Sequence, residues 1–341
     1  MVRRFRYFPA RWEDLAHGAI LENLRARRSR WLQVPPFLIA ECCAVLRAVR
    51  SDKPDVIHAH WILPQGVVAR LCAPRVPLVL TTLGGDLYAV DSPLARKVKA
   101  WTLRGAGAVT VMNEEMRARV IELGVSPDRA RVLPMGADVS AVRQATRRAP
   151  APSAPVQFLF VGRLVEKKGL VVLLDALRSL EAAGGWALTV VGDGPLRAEL
   201  ERMSSGLPVS FQGQLGRTEL SLAYSASDVA VFPSVRAASG DQDGLPVALL
   251  EAMAAGCGIV ASDLPGINEA VQNGTSGILV EPGDSGKLAS ALHQMLESAD
   301  IRARMGQSAR ERADAFDVSR IGDKYVALLM SVCRTPAGTS S

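Results

Sequence analysis

The stretch from Val231 to Gly256 constrains the fold of this chain more than any other. Val229 to Phe232 is an apolar run stopped by Pro233, and Gly240 and Gly244 mark a polar loop. Val247, Leu249, Leu250 and Met253 then describe a mostly apolar helix that Gly256 ends. Pro246 falls in the first turn of that helix, where a missing N–H costs nothing. A strand feeding a helix through a glycine-containing loop is the unit from which α/β domains are wound. The free N–H groups at such a helix start favour a bound anion. Two acids frame the start: Asp243 just before it, and Glu251 after seven intervening residues. A Glu on an apolar helix costs stability unless it is solvated or paired, which places Glu251 at the wall of a cleft. Its carboxylate can accept hydrogen bonds from two adjacent hydroxyls, as in a ribose diol. The same pattern also describes an amphipathic helix with one exposed Glu, and the residues alone leave both readings open.

Read as Asp243-Gly-Leu-Pro-Val-Ala-Leu-Leu-Glu251-Ala-Met-Ala-Ala-Gly256, the stretch resembles the donor-binding signature of retaining glycosyltransferases of family 4, in the GT-B fold group. The family pattern has an acid, seven residues and a Glu, with Gly-Leu-Pro after the first acid. Here that acid is Asp rather than the commoner Glu, one methylene shorter. The loop from Ser234 to Asp243 resembles the version in exopolysaccharide and colanic-acid-type members. The resemblance implies an α/β chain with two Rossmann-like domains facing a cleft. It gives Asp243 the sugar hydroxyls and Glu251 the ribose, and brings the N–H groups of Gly244 and Leu245 to sugar and phosphate.

A length of 341 residues suits two domains, each with its own core. The expected boundaries are an acceptor-side domain over 1–145, a donor-binding domain over 155–315, and a C-terminal helix with a loose tail over 316–341, the helix packing back on the front domain. Residues 144–155, rich in Ala, Pro and Arg, read as the linker. Strands are expected at 56–60, 78–82, 108–112 and 131–133 in the front half. In the rear they are expected near 157–161, 187–191, 208–211, 229–232, 258–261 and 277–280, with helices between them. Phe5, Tyr7, Phe8 and Trp12 are expected to give one further short strand with an anchored loop. The apolar segment 31–49, interrupted by Gln33, Pro35, Pro36, Glu41 and Arg47, reads as too broken to span a bilayer and as cover for the front domain.

Charge is uneven. Residues 1–150 carry 24 Lys and Arg against 13 Asp and Glu, a net of +11, while the remainder nets −5. A basic front half favours phosphates or acidic headgroups. No nucleic-acid motif accompanies it, so nucleic acid is not an expected partner. Five cysteines, odd in number and without Cys-x-x-Cys spacing, fit a reducing cytoplasm and no structural metal.

Phe158-Leu-Phe-Val-Gly-Arg-Leu-Val-Glu-Lys-Lys-Gly169 is a buried strand running into a glycine turn with three cations. Arg163 offers a planar fork to a pyrophosphate and Lys168 a compact second charge. The stretch resembles the family's Gly-Arg-Leu-x-x-x-Lys-Gly element, which carries the diphosphate role onto Arg163 and Lys168 and a nucleotide contact onto Gly162; Lys167 reads as a solvated neighbour. Gly192-Asp-Gly194-Pro195 resembles the family's Gly-x-Gly-Pro turn, and Phe211 stands at its base-binding wall. In the front half, period-two spacing sets His58 and His60 on one face of a strand end. His60 is the candidate contact to the transferred sugar, with a structural hydrogen-bonded histidine the equal alternative. Thr81-Thr-Leu-Gly-Gly-Asp86 is similar to the family's Thr-x-His-Gly-x-Asp turn, but Leu83 stands where His is usual. Asp241-Gln-Asp243 matches the metal motif Asp-x-Asp of the other large glycosyltransferase fold; the Gly-Leu-Pro that follows argues against that reading, and no metal or cofactor is expected.

Family members begin with a strand and glycine-rich loop that have no counterpart here, so a smaller front sheet with an exposed edge and weak transfer are the expectation. The resemblance implies a cytoplasmic transferase that sits peripherally on the inner membrane face. Its donor is a UDP- or GDP-sugar, its acceptor a glycan or lipid-linked molecule, and an anionic membrane its companion. The alternatives are a sugar-nucleotide-binding relative with little catalysis and a GT-B epimerase.

Overall fold

The structure, a computed structural model, describes residues 2–16, 20, 23–24, 27–88, 92–143, 154–180, 184–238, 240 and 242–334. All but the last two residues of the expected linker at 144–155, the tail at 335–341 and Asp241 lie outside the described residues. The chain divides into two compact units: residues 1–110 with 119–131 and 327–341, and residues 111–118 with 132–326.

The first unit is built on a four-stranded sheet ordered β1-β2-β3-β4, with β1 Ile57–His60, β2 Leu78–Thr81, β3 Ala108–Val111 and β4 Ala130–Val132. β1 runs parallel to β2, with His60 opposite Thr81, and β2 runs parallel to β3. β2 and β3 are buried along their whole length, as strands covered on both faces must be. Helices α1 (Val34–Asp52), α2 (Val67–Cys72), α3 (Gly85–Tyr88), α4 (Pro93–Arg104) and α5 (Glu114–Glu122) alternate with the strands. α4 starts where Ser92 accepts a hydrogen bond from the Ala95 N–H, with Pro93 at the first helical position. Its buried Lys99 is satisfied by donating to the Leu87 carbonyl at 2.7 Å. Val332 packs into this unit against Val79 and Ala108.

Two expectations fail at the front. No strand forms at Phe5 to Phe8 or anywhere among the described residues before Ile57. The Tyr7 N–H donates to the Glu13 carboxylate rather than to a ladder, and the Phe5 and Tyr7 rings close on Phe37 of α1 at 5.7 and 5.1 Å. Nor is 31–49 broken. Pro35 and Pro36 sit in the first turn of α1, where they remove no helical hydrogen bond, and the helix runs on to Asp52. With the turn before it, Arg28–Asp52 is long and apolar enough to cross a membrane by length and composition. As cover α1 works on one face only: Phe37 and Glu41 are buried, while Trp31, Leu32 and Ile39 are exposed.

The second unit carries a six-stranded parallel sheet ordered β10-β9-β8-β5-β6-β7. Its strands are β5 Val156–Val161, β6 Trp186–Val191, β7 Val209–Gly213, β8 Val229–Phe232, β9 Gly258–Ser262 and β10 Ile278–Val280. Helices α6 (Val139–Arg143), α7 (Leu170–Ser179), α8 (Arg197–Met203), α9 (Arg217–Ser225), α10 (Val247–Ala255), α11 (Ile267–Ala270), α12 (Ser285–Glu297), α13 (Ala299–Ala313) and α14 (Val318–Arg334) complete the described helices. Alternation along β5 divides the interior: Phe158 and Phe160 join one core with Leu173 and Leu177, and Leu159 joins the other with Leu250 and Met253. Each such side chain, fully buried, contributes about 1.5–3 kcal/mol. The chain winds outward from β5 through β6 to β7, then returns to β8 on the other side of β5. The order therefore reverses between β5 and β8, and open α/β sheets bind ligands outside the carboxyl ends of the strands at such a point.

Candidate functional site

The carboxyl ends of β5 and β8 carry the residues that the sequence singles out. After β5, the turn Glu166–Lys168 ends at Gly169, whose φ of 67° only glycine adopts easily. A Cβ there would stand 1.8 Å from the Pro233 carbonyl oxygen, so this glycine lets the two strand ends close on each other. Across that contact Lys168 Nζ meets Asp243 Oδ2 at 2.8 Å, and Ser234 Oγ donates to the same oxygen at 2.9 Å. Asp243 is almost fully buried (7% exposed), and this pairing is what lets a carboxylate remain there. Lys167 is not the solvated neighbour expected: its side chain is largely covered and its ammonium lies 3.8 Å from Asp243 Oδ1. Arg163 is exposed at the mouth of the turn.

Asp243 leads through Gly244 and Leu245 into α10. Pro246 is the cap residue rather than part of the first turn, and no side chain caps the start of this helix. Gly244 is held from behind by Gly266, at φ 89°, where a Cβ would stand 1.7 Å from the Gly244 carbonyl oxygen. Further into α10, Glu251 is half-buried and accepts a hydrogen bond from Tyr224 Oη at 3.0 Å. Burial raises the Glu251 carboxyl above its ordinary value, opposed by the tyrosine and by the charge of Arg217. Burial, with Glu251 beside it, holds the Tyr224 phenol far above its usual range, so the tyrosine remains a donor. Sequence reasoning missed both Tyr224 and Ser234. No local pattern marks either one, since Ser234 meets its acid through the folding of the loop after β8 and Tyr224 through the packing of α9 against α10.

The glycines after β5 and β6 are there for close approach. Gly192 has φ 130°, and a Cβ on it would stand 1.9 Å from the Gly162 carbonyl oxygen; one on Gly194 would stand 2.4 Å from that of Leu164. Backbone bonds join the same turns, Gly162 N–H to Val191 O and Leu164 N–H to Asp193 O. Phe211, within β7, packs half-buried against the core. Among the described residues no group of three or more His, Cys, Asp or Glu is placed to hold a metal ion.

In the first unit His58 and His60 share one face of β1, their rings 4.4 Å apart. His58 Nε2 lies 2.7 Å from Thr81 Oγ1, which meets Thr110 Oγ1 at 2.6 Å, while His60 is exposed. Burial pulls the His58 pKa down to about 4 and lowers that of His60, so both rings are neutral at pH 7. Buried Asp86 ties the two turns together. It accepts from the Ile62 N–H at 2.6 Å, from Thr82 Oγ1 at 2.8 Å and from the Leu83 N–H at 3.2 Å. Between them Trp61 is held at φ 78°, an uncommon conformation for a bulky residue.

Residues 5–136 match the family described as glycosyl transferase 4-like domain, and residues 155–298 that described as glycosyl transferases group 1. The chain is 33% identical over 309 residues to the putative colanic acid biosynthesis glycosyltransferase WcaL of Escherichia coli K12, covering 87% of this chain and 74% of that protein. With the WcaL of Salmonella typhimurium it shares 34% over 226 residues, 63% of this chain and 54% of the relative. With the glycogen synthase of Mycobacterium tuberculosis it shares 30% over 276 residues, 77% of this chain and 65% of the relative. The chain thus spans little more than half of the Salmonella protein and just under two thirds of the mycobacterial one. In fold it is similar to a glycosyltransferase from Rickettsia africae, with a TM-score of 0.74, 15% identity and 93% and 89% of the two chains covered. It is similar also to Anabaena HepE solved with UDP-glucose, with a TM-score of 0.72, 22% identity and 85% and 82% covered. Both halves of the signature occur in order on two Rossmann-like units, and so this chain belongs to the group 1, family-4-like glycosyl transferases of GT-B fold.

Proposed function

We propose that the chain is a retaining glycosyltransferase of surface polysaccharide synthesis, moving a sugar from a nucleotide-diphosphate sugar to a glycan or lipid-linked acceptor. The observation that carries this reading is the buried Lys168–Asp243–Ser234 cluster at the β5/β8 switch point, directly before the uncapped start of α10. In this reading Lys168, Arg163 and the N–H groups of Gly244 and Leu245 take the diphosphate. These cations stabilise the departing charge without a metal or cofactor. As the diphosphate draws Lys168 away, Asp243 becomes free to accept from sugar hydroxyls. Glu251, steadied by Tyr224, takes the ribose diol, and Gly162, Gly192 and Gly194 let the nucleotide approach the backbone. Retention then follows from same-face attack by the acceptor hydroxyl, assisted by the leaving phosphate, with His60 contacting the sugar. The division of labour is an acceptor-side domain over 1–145 and a donor domain over 155–315, with 316–341 returning to the first. The names of the WcaL relatives support the pathway, and the UDP-glucose bound to HepE supports the donor class. Calorimetry with UDP and GDP in the presence of a chelator tests the reading. Binding of one of them is expected, and binding that disappears with the chelator rejects it.

A further inference from the structure

Apart from the donor cluster, the first unit holds a cavity of about 1050 Å³. Its volume is at the upper end of ligand sites, which run to about 1,000 Å³. The wall is largely hydrocarbon: Leu24, Phe37, Leu38 and Ile57 represent the N-terminal segment, α1 and β1 on it. Polar side chains interrupt it, His58, His60 and Asp86 at the carboxyl end of β1 and Glu41 with Gln65. Glu41 lies on the inner face of α1 and is 93% buried by the surrounding structure (7% exposed), and its Oε2 has no hydrogen-bond partner; neither has Oε1 of Gln65, also on the wall. Asp86, in contrast, has both oxygens engaged. A buried polar atom without a partner costs about 1–3 kcal/mol, so two in one cavity mark a place where a ligand completes the bonding.

The chemistry of these atoms defines the ligand. Gln65 Oε1 accepts, and the Glu41 carboxyl accepts or, when protonated, donates, so the ligand must bring groups such as hydroxyls that do both. No Lys or Arg is among the described residues lining the cavity, so a phosphate or carboxylate head would enter without a counter-charge. We propose that this cavity binds an uncharged amphiphile, its hydrocarbon chain against Phe37, Leu38 and Ile57 and its hydroxylated head, glycosidic or glycerol-like, donating to Glu41 and Gln65. The carboxyl of Glu41, raised to about 7 by burial, fits a neutral head better than a cationic one. This is a statement about binding alone, and it stands whether or not the chain transfers sugar.

Trp31 and Trp61 also line the cavity, so an alkyl chain carrying bromine reports its own arrival by quenching their fluorescence. The probe is a chain-brominated decyl β-glucoside titrated into the full chain below its micelle concentration, alongside the matching brominated decyl phosphate. Saturable quenching by the glucoside, at least tenfold tighter than by the phosphate, is expected. Glu41→Leu should weaken the glucoside about tenfold, the scale of one lost hydrogen bond, while Glu41→Gln, which keeps an acceptor oxygen, stays within threefold. Leu38→Phe, which crowds the chain wall, should weaken both probes. Absence of saturable quenching overturns the inference, as does a phosphate that binds as tightly as the glucoside. So does a Glu41→Leu variant that folds, judged by circular dichroism, yet binds the glucoside like the parent. Should that variant not fold, the comparison of the two probes and Glu41→Gln decide on their own.

Discussion

Asp243 precedes α10 while Glu251 lies just over one turn inside it, and the two live in different surroundings. Asp243 is buried and paired to Lys168, whereas Glu251 is half-buried and hydrogen-bonded by Tyr224. Their mutants should therefore part company. Glu251→Gln should weaken binding of the bare nucleotide by about 1–3 kcal/mol, the scale for a charge-assisted hydrogen bond. Asp243→Asn leaves Lys168 without its internal partner and available to phosphate. It should preserve nucleotide affinity and lower transfer of the sugar. Calorimetry with UDP or GDP beside a transfer assay separates the two, and an equal loss of nucleotide affinity in both mutants would show the assigned roles to be wrong. Glu41 carries a pH signature of its own. Burial raises its pKa from 4.5 to about 7, so the folded state holds a proton that the unfolded state releases. Stability from this group is complete below about pH 4.5 and is lost as the pH rises through about 7. Glu41→Gln removes the dependence. The mutant should equal the parent near pH 4.5 and exceed it at pH 8 by about 1–3 kcal/mol, discounted for partial solvation. Urea midpoints at the two pH values check this, and a parent equally stable at both would contradict it.

At the scale of elements, the donor site is a set of close approaches between turns that follow different strands. Gly266, ahead of α11, supports the carbonyl of Gly244 ahead of α10, and nothing larger than hydrogen fits between them. Gly266→Ala must push the Gly244 turn aside. It should cost about 1–3 kcal/mol, the range for a residue forced into a sparse backbone region, and weaken nucleotide binding as well. Gly184→Ala is the control: it also has positive φ, but nothing lies within 4 Å of the added methyl. It should cost about 1–2 kcal/mol for its left-handed backbone and leave affinity unchanged. Denaturant unfolding and calorimetry on both variants read the difference. Nucleotide affinity intact in Gly266→Ala would mean that this turn does not touch the ligand. Helix α1 shows how an element escapes sequence reasoning. Two prolines look like breakers until they are placed in the first turn, and an apolar stretch looks like a core helix until Phe37 is found to be its one fully buried apolar side chain, with Ile39 and Cys43 exposed.

For the molecule as a whole, charge and exposed rings act together at the front. The first 150 residues net +11, and Trp12, Trp31 and Leu32 stand exposed, with the Arg11 guanidinium 4.0 Å above the Trp12 ring. Such a surface should hold anionic vesicles by electrostatics with shallow aromatic contact. Flotation with phosphatidylglycerol liposomes is expected at about 0.1 M salt and to fall away near 1 M, as the screening length shrinks from about 10 to about 3 Å. Flotation that ignores salt would instead mean that α1 inserts.

Local regularities were legible in the residues themselves. Short apolar runs bounded by turn residues placed the ten strands named above to within two residues. The spacing of Asp243 and Glu251 on a strand–loop–helix unit located the candidate site. These follow from backbone sterics and short-range periodicity, which a sequence carries directly. The expected Phe5–Phe8 strand failed because a strand needs a partner edge as well as a pattern. What joins Lys168 to Asp243 is the reversal of strand order between β5 and β8, which brings together side chains far apart in sequence; Ser234 meets Asp243 through the folding of the loop after β8, and Tyr224 meets Glu251 through the packing of α9 on α10. Only the packed sheet decides that order, because it is set by which faces must be buried together rather than by any residue's own preference.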